Sequence, residues 1–552
     1  MRSPDEVANL ACMGSAHQHR LSFMRILLRR LKREGWTFCR PVWELDHDGF
    51  GTAVYTAAGP ERSYSLVVFS HYLEPAMRSD RVIATAWDAS FALFDGVPAR
   101  EDLARLRANV PLQEAGRVSC KELTVSRANR SVRLFEHVVD NLSQGLQPDE
   151  ALVGEVGYLM RTTAVYGSGK LGAADYESIT ARPEFQSPFQ AEMLSVYLIR
   201  EFTLDLVEHI ARARAPSRAV RLSPHMRRRF GIGNSTGLGM APFLVNHPAV
   251  LNRWFTVRES ALMRVRALAS AAIEQHVAFR RLVERARLGI VDWRTDDQVQ
   301  QERLKVLAAD LEKLAIYIAK EGFAASRPWD VLFCWAHSEL SLDARELVAS
   351  LLIEGHPGVV DDLEVEYRVN ESDSFHIDGW RSIGDLRMLI ECNFGWARGF
   401  DFSRRDQTAR FWYTSEEKLE PRLGERWDED GSEREQPLAI ARDVQALTKS
   451  LASWDSSERL AGYLRKHPEY RHIVRRVMLS ERALYAEIRD NIVSATMRPI
   501  DLLRFKLSFF GATRFDPRSD RWIRITMFQH SPCMNELATK DVDDWFLPAL
   551  SA

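Results

Sequence analysis

Lysine is scarce in this chain of 552 residues, with 11 lysines against 63 arginines. Such a skew is the mark of high-GC bacterial genomes. It also leaves most positive charge on planar guanidinium forks, which bind carboxylate and phosphate bidentately. Cysteine is sparse too. Cys12, Cys39, Cys120, Cys334, Cys392 and Cys533 are scattered, with no C-x-x-C pair. That excludes a zinc ribbon or a disulfide framework and predicts reduced thiols in a cytoplasmic protein. No window approaches 18 consecutive apolar residues, so no membrane span and no membrane partner are expected. Met1 to Leu10 carries Asp5 and Glu6 and lacks the apolar core of a signal peptide. Net charge is nearly absent, at -2 from 74 basic and 76 acidic residues, which excludes a globally basic nucleic-acid binder.

Several motifs are missing as well. There is no H-E-x-x-H, no G-x-S-x-G, no Walker A loop and no papain-like cysteine signature. His17 and His19 are two apart, and His467 and His472 five apart, so neither pair shares a helical face. No metal site is expected, and the sequence specifies no cofactor. Cys120 and Ser168 lack any motif that would support a nucleophile.

What is present reads as an α+β protein, predominantly helical. A central helical bundle is expected, with mixed N-terminal and C-terminal segments containing antiparallel strands. The expected division is an α+β segment 1–100, a helical region with glycine-rich loops 101–325 and a mixed segment 326–413. A charged linker or lid 414–437 and a helical then β-hairpin segment 438–552 follow. Residues 15–34 have helical apolar spacing. Three antiparallel strands are expected at 36–45, 50–57 and 63–71, where aromatic and β-branched runs alternate with Asp-Gly and Gly-Pro turns. Helices are expected at 79–94, 100–109, 126–143, 148–161, 188–213, 247–288, 295–322, 341–354 and 438–497. Strand-like runs appear in WDVLFCWAHSEL, DLEVEYRVN, LRMLIECNFGW, KLSFFGATRF and RWIRITMFQ. No fixed-period repeat is found.

Four segments carry chemistry. The first, Gly231 to Phe243, holds Gly231, Gly233, Gly237 and Gly239 around Asn234, Ser235 and Thr236. Glycines let backbone N–H groups approach an anion, and the polar triplet adds donors. A tight turn between helices is the plain alternative. Upstream, seven arginines fall between Arg212 and Arg229 with no acid among them. They read as a solvated face or as an anion-steering rim. The second segment contains Arg161, then Gly167, Ser168, Gly169 and Lys170. Lys170 would bind an oxyanion or, if desolvated, act as a base. A helix cap with an exposed lysine is the alternative. In the third, Arg127, Asn129, Arg130 and Arg133 crowd the expected start of a helix, with Arg127 and Arg130 as i,i+3 neighbours. In the fourth, Glu391 and Asn393 alternate on an expected strand end, with Glu391 the first choice for proton transfer and Asp378 the second.

The function these segments suggest is a cytosolic enzyme acting on a small carboxylate- or phosphate-bearing metabolite. Arg127, Arg130, Arg161, Ser168, Gly233, Asn234, Ser235, Thr236 and Asn393 would bind it, and Lys170 or Glu391 would handle protons. The alternative is an interaction or scaffold protein using the long helices at 247–322. Nucleic-acid binding through Arg212–Arg229 is the weaker alternative. Self-association stays open.

Overall fold

The structure is a computed structural model. It describes residues 1–72, 87–111, 119–162, 179–234, 248–291, 293, 295–320, 326–368, 376–401, 410–414, 421–425, 433–435, 438–487, 498–512 and 525–543. Among these, the fold is α+β, with a curled sheet of eight strands and many helices.

The first strands are β1 (Thr37–Leu45), β2 (Gly51–Ala58) and β3 (Ser63–Ser70), as their alternation predicts. β4 (Ala89–Asp95), β5 (Glu122–Arg130), β6 (Tyr158–Thr162) and β7 (Gly231–Asn234) continue the sheet. β8 (Arg410–Thr414), β9 (Pro421–Glu425) and β10 (Glu433–Glu435) form a separate three-stranded sheet, in or beside the stretch expected to be a linker. β11 (Ile525–Met527) closes the large sheet, whose order is β1-β2-β3-β4-β5-β6-β7-β11. Neighbours are antiparallel throughout except β6 and β7, which run parallel.

The main helices are α1 (Phe23–Arg33), α2 (Arg100–Asn109), α3 (Phe135–Ser143), α4 (Glu150–Val156) and α5 (Gln190–Arg214). They continue as α6 (Pro248–Arg266), α7 (Ile273–Val291), α8 (Gln298–Lys320), α9 (Pro328–Glu339) and α10 (Leu342–Glu354). The last are α11 (Ile383–Asn393), α12 (Leu438–Leu451), α13 (Arg471–Arg482) and α14 (Pro499–Phe509). α5 is the axis of the fold and is buried along nearly its whole length. Ser195 meets Thr124 of β5 at 2.6 Å, and ten residues later Asp205 accepts from the Tyr55 hydroxyl of β2 at 2.7 Å. Tyr55, Leu66, Leu93 and Thr124 form one row across β2, β3, β4 and β5. Ten helical residues rise about 15 Å, the width of about three strand spacings, so α5 lies across the strands.

The core on this face is continuous with the helical half. Phe23 of α1 packs against Phe189, Tyr367, Phe509 and Phe510, which joins α5, α14 and the segment before α11. The opposite face of the sheet has its own smaller core, in which Leu103, Leu106 and Val110 of the α2 segment cover Val54, Val67, Phe69, Ala92, Phe94 and Val125.

Several expectations change. The helix expected over 15–34 starts only at Phe23, after the Ser22 N-cap, and residues 16–22 form a buried irregular segment. The end of the expected helix 79–94 is β4, because Ala89, Phe91 and Leu93 alternate with Ser90, Ala92 and Phe94 into opposite cores. The expected helix 126–143 is split into β5 and α3, and 148–161 into α4 and β6, where Gly157 at φ 76° caps α4. The expected helix 247–288 breaks between Arg266 and Ile273. The strand-like runs in 328–393 are α9, a 3-10 helix at Asp361–Tyr367 and α11. KLSF ends α14, and Ile525–Met527 is the strand among the described residues of that region. Short apolar runs do not separate strand from buried helix by period alone. α7 and α8 pack side by side, as their amphipathic pattern predicts.

Candidate functional site

The sheet face away from α5 is half apolar and half polar, and register shows why. Thr52, Phe69, Ser90 and Arg127 are successive cross-strand partners on β2, β3, β4 and β5. Asn129, two residues from Arg127 and so on the same face, partners Arg161 of β6. Arg161 partners Gly233 of β7, and Gly233 partners Thr526 of β11. Past Phe69 and the α2 cover, the face therefore presents Ser90, Arg127, Asn129, Arg161, Gly233 and Thr526.

Several donors on and beside this face lack partners among the described residues. The Arg127 guanidinium lies over the Trp87 ring, 4.3 Å from its centre, and takes no carboxylate or hydrogen-bond acceptor among the described residues. Burial alone acts on it and lowers its pKa from the ordinary arginine value. The Trp87 indole nitrogen, the Ser90 hydroxyl and the Tyr158 hydroxyl are buried without a hydrogen-bond partner among the described residues. The Tyr158 ring lies against Gly233. A buried donor without an acceptor costs about 1–3 kcal/mol, so such a concentration calls for a ligand or solvent. Asn129 is positioned rather than idle. Its side-chain oxygen accepts from the Asp88 amide at 3.0 Å, and Asp88 in turn accepts from the Arg130 amide at 2.8 Å. Arg161 is buried, with 9% of its surface exposed.

The two glycine-rich segments are linked to this face through the strands that precede them. β6 and β7 are the parallel pair, so the segments following Thr162 and Asn234 both leave from the carboxyl ends of adjacent strands. In open sheets with parallel strands, that end is where ligand loops gather. Lys170, Ser168, Ser235 and Thr236 lie outside the described residues. Asn234 is the last residue of β7 and pairs with Ile525.

The remaining predicted residues separate. Arg130 is on β5, not a helix, and an odd number of residues from Arg127, so it points to the other face, over Phe50 and Phe135. The expected i,i+3 pairing of Arg127 and Arg130 is thereby replaced by opposite faces of one strand. Glu391 and Asn393 sit on α11, a helix, where residues two apart diverge by about 200°. Glu391 is exposed and 3.4 Å from Arg398, while Asn393 is buried and donates to Ser480 at 2.7 Å. Gly231 and Gly233 are strand residues and not a turn. A side chain at Gly231 would meet the Met527 carbonyl, and one at Gly233 would lie 2.5 Å from the Tyr158 ring.

Four of the seven arginines in the acid-free run pair with acids from elsewhere. Arg214 pairs with Glu136 and Asp140, Arg227 with Glu208 and Asp205, Arg228 with Glu536, and Arg229 with Glu150. Among the described residues no group of three His, Cys, Asp or Glu side chains is set to hold a metal ion. His17 and His19 are buried, and burial lowers His17 to about 4 and His19 well below its usual value. Glu192, in the first turn of α5, is raised by burial to about 7, but it belongs to the face of the sheet opposite Arg127.

Trp87, Ser90 and Tyr158 were not legible as site residues. The alternation across ASFALFD was the signal for β4, and with it Ser90 falls opposite Arg127. No family model, curated protein or solved structure matches the chain.

Proposed function

We propose that the protein is an enzyme that binds a small carboxylate- or phosphate-bearing metabolite on the polar half of the sheet, at Arg127, Asn129 and Arg161. The observation that carries this reading is Arg127, a part-buried guanidinium stacked on Trp87 with no carboxylate partner among the described residues. Elsewhere in the chain, buried arginines have carboxylates: Arg25 binds Glu354, and Arg2 binds Glu259 and Glu346. An arginine placed without one, beside Ser90 and Asn129, is suited to an external anion. The glycine-rich segments after β6 and β7 would add backbone donors. A thermal-shift series with orthophosphate, nucleoside phosphates and di- and tricarboxylates tests the reading. At least one ligand should raise the melting temperature, and Arg127→Gln should abolish the rise. No rise with any ligand, or an equal rise in Arg127→Gln, contradicts it.

A second reading, an interaction surface on α7 and α8, is favoured by exposed apolar side chains. Ile273 is 78% exposed and Val291 72%. Sedimentation velocity of the wild type and of Ile273→Glu with Val291→Glu tests it. Concentration-dependent association lost in the variant supports it, and a monomer at all concentrations speaks against self-association through this face.

A further inference from the structure

A second cleft lies on the other side of the sheet, at the β1 edge. It has a volume of about 870 Å³ and is bounded by β1, the C-terminal half of α5, residues 219–224 and residues 534–538. That volume is in the range that encloses small organic ligands.

Its wall depends on a β-bulge. Phe38 partners Ala57 and Trp43 partners Ala53, two positions on the same face of β2. Phe38 and Trp43 are five residues apart and would point to opposite faces of a regular strand. The extra residue between Cys39 and Val42 turns both toward α5 and the cleft. Both rings remain half-buried, so part of each is open to the cleft.

The carboxylates in the cleft already have partners. Asp205 accepts from Arg40 at 2.9 Å, from Tyr55 at 2.7 Å and from Arg227 at 3.1 Å. Glu208 accepts from Arg227 at 2.7 Å and from the Leu222 amide at 3.2 Å, and Glu201 lies 3.4 Å from Arg200 and 3.6 Å from Arg227. Both ring nitrogens of His209 are engaged. Its Nδ1 accepts from the Trp43 indole at 3.2 Å, and its Nε2 donates to the Asp46 carbonyl at 2.7 Å. The charges left over are Arg212 and Arg221, both in the lining, both exposed and without a partner among the described residues. The Arg40 guanidinium lies 4.1 Å from the centre of the Trp43 ring, so Phe38 and the remaining exposed part of Trp43 supply the apolar wall. A cleft with that wall, saturated carboxylates and two spare guanidinium groups selects a ligand with a flat apolar body and an anionic end.

We propose that this cleft binds a ring-bearing anion of the aryl carboxylate or aryl phosphate class, with its ring against Phe38 and Trp43 and its anionic group on Arg212 and Arg221. This site is separate from the Arg127 face and does not depend on it.

Isothermal titration with 2-naphthoate, phenyl phosphate, 2-naphthalenemethanol and inorganic phosphate tests the proposal on the full chain. At least one of the two ring-bearing anions should bind saturably, with the uncharged alcohol and inorganic phosphate each at least tenfold weaker. The exposed double variant Arg212→Glu/Arg221→Glu should lower the affinity of the ring-bearing anion at least tenfold at an unchanged melting temperature, while Arg127→Gln leaves it unchanged. Failure of both ring-bearing anions to bind overturns the proposal. So does binding of inorganic phosphate with equal affinity in the Arg127→Gln background, or binding of the ring-bearing anion that survives the double charge reversal or is lost in Arg127→Gln.

Discussion

The Arg127 guanidinium stands 4.3 Å from the centre of the Trp87 ring and takes no carboxylate among the described residues. A part-buried cation in this position is held by its ring and its backbone and is opposed by desolvation. Removing it should therefore separate binding from stability. Arg127→Gln is expected to melt at the wild-type temperature or above it, while losing at least tenfold in affinity for the anion. Scanning calorimetry with and without ligand checks both halves, and a large drop in melting temperature without ligand would make Arg127 a structural residue.

Gly233 is fixed by its neighbour and not by its backbone conformation. Its added Cβ would lie 2.5 Å from the Tyr158 ring. Gly233→Ala is expected to destabilise by about 1–3 kcal/mol, the usual cost of overpacking. The further replacement Tyr158→Leu should recover part of that loss, since it removes the ring. Denaturant melts of the single and double variants measure the coupling.

Acid should destabilise the fold in two stages. His17 is buried and His530 half-buried, and desolvation lowers both to about 4, below the unfolded value of about 6.5. The unfolded chain then binds more protons, so their contribution is complete above about pH 6.5 and is lost as pH falls toward 4. Glu259 follows at lower pH. Burial pushes it up, but Arg2 and Arg258 more than offset this and hold it at about 2. Its contribution is present above the unfolded value of about 4.3 and disappears as pH falls toward 2. Melting temperature against pH should show a first decline below 6.5 and a second below about 4. A flat profile from 6.5 to 4 would contradict the desolvated neutral histidines.

Glu259 of α6 also anchors Arg2 near the N-terminus. It accepts from Arg2 at 2.8 Å and from Arg258 at 3.2 Å, and both arginines reach Glu346. Glu259→Gln leaves two nearly buried guanidinium groups short of charge and is expected to cost about 3–5 kcal/mol, the usual result of breaking one side of a buried ion pair. Chemical denaturation measures it.

The sequence-level reading was strongest where one physical signal was unopposed. β1, β2 and β3 follow their alternation and turns to within two residues, and α5 follows its long apolar pattern. It failed where two signals compete. Ser126 and the spaced arginines after it resemble a capped helix start, yet Thr124, Ser126 and Ala128 face α5 while Val125, Arg127 and Asn129 face away, so pairing with β4 and β6 decides for strand. LRMLIEC is apolar enough for either class and is a helix because it packs on α13 as one. Arg127, Arg161 and Gly233 were legible one by one. That they share a face was not, because register is a property of strand pairs that are far apart in the chain.

The most direct measurement is a crystal structure of the full chain soaked with whichever anion gives the largest thermal shift. Electron density for that anion within hydrogen-bond distance of the Arg127 guanidinium, with Asn129 or Arg161 also in contact, is the predicted result. Arg127 still stacked on Trp87 and touching no ligand, with density only elsewhere, would contradict the assignment of the anion site to the Arg127 face.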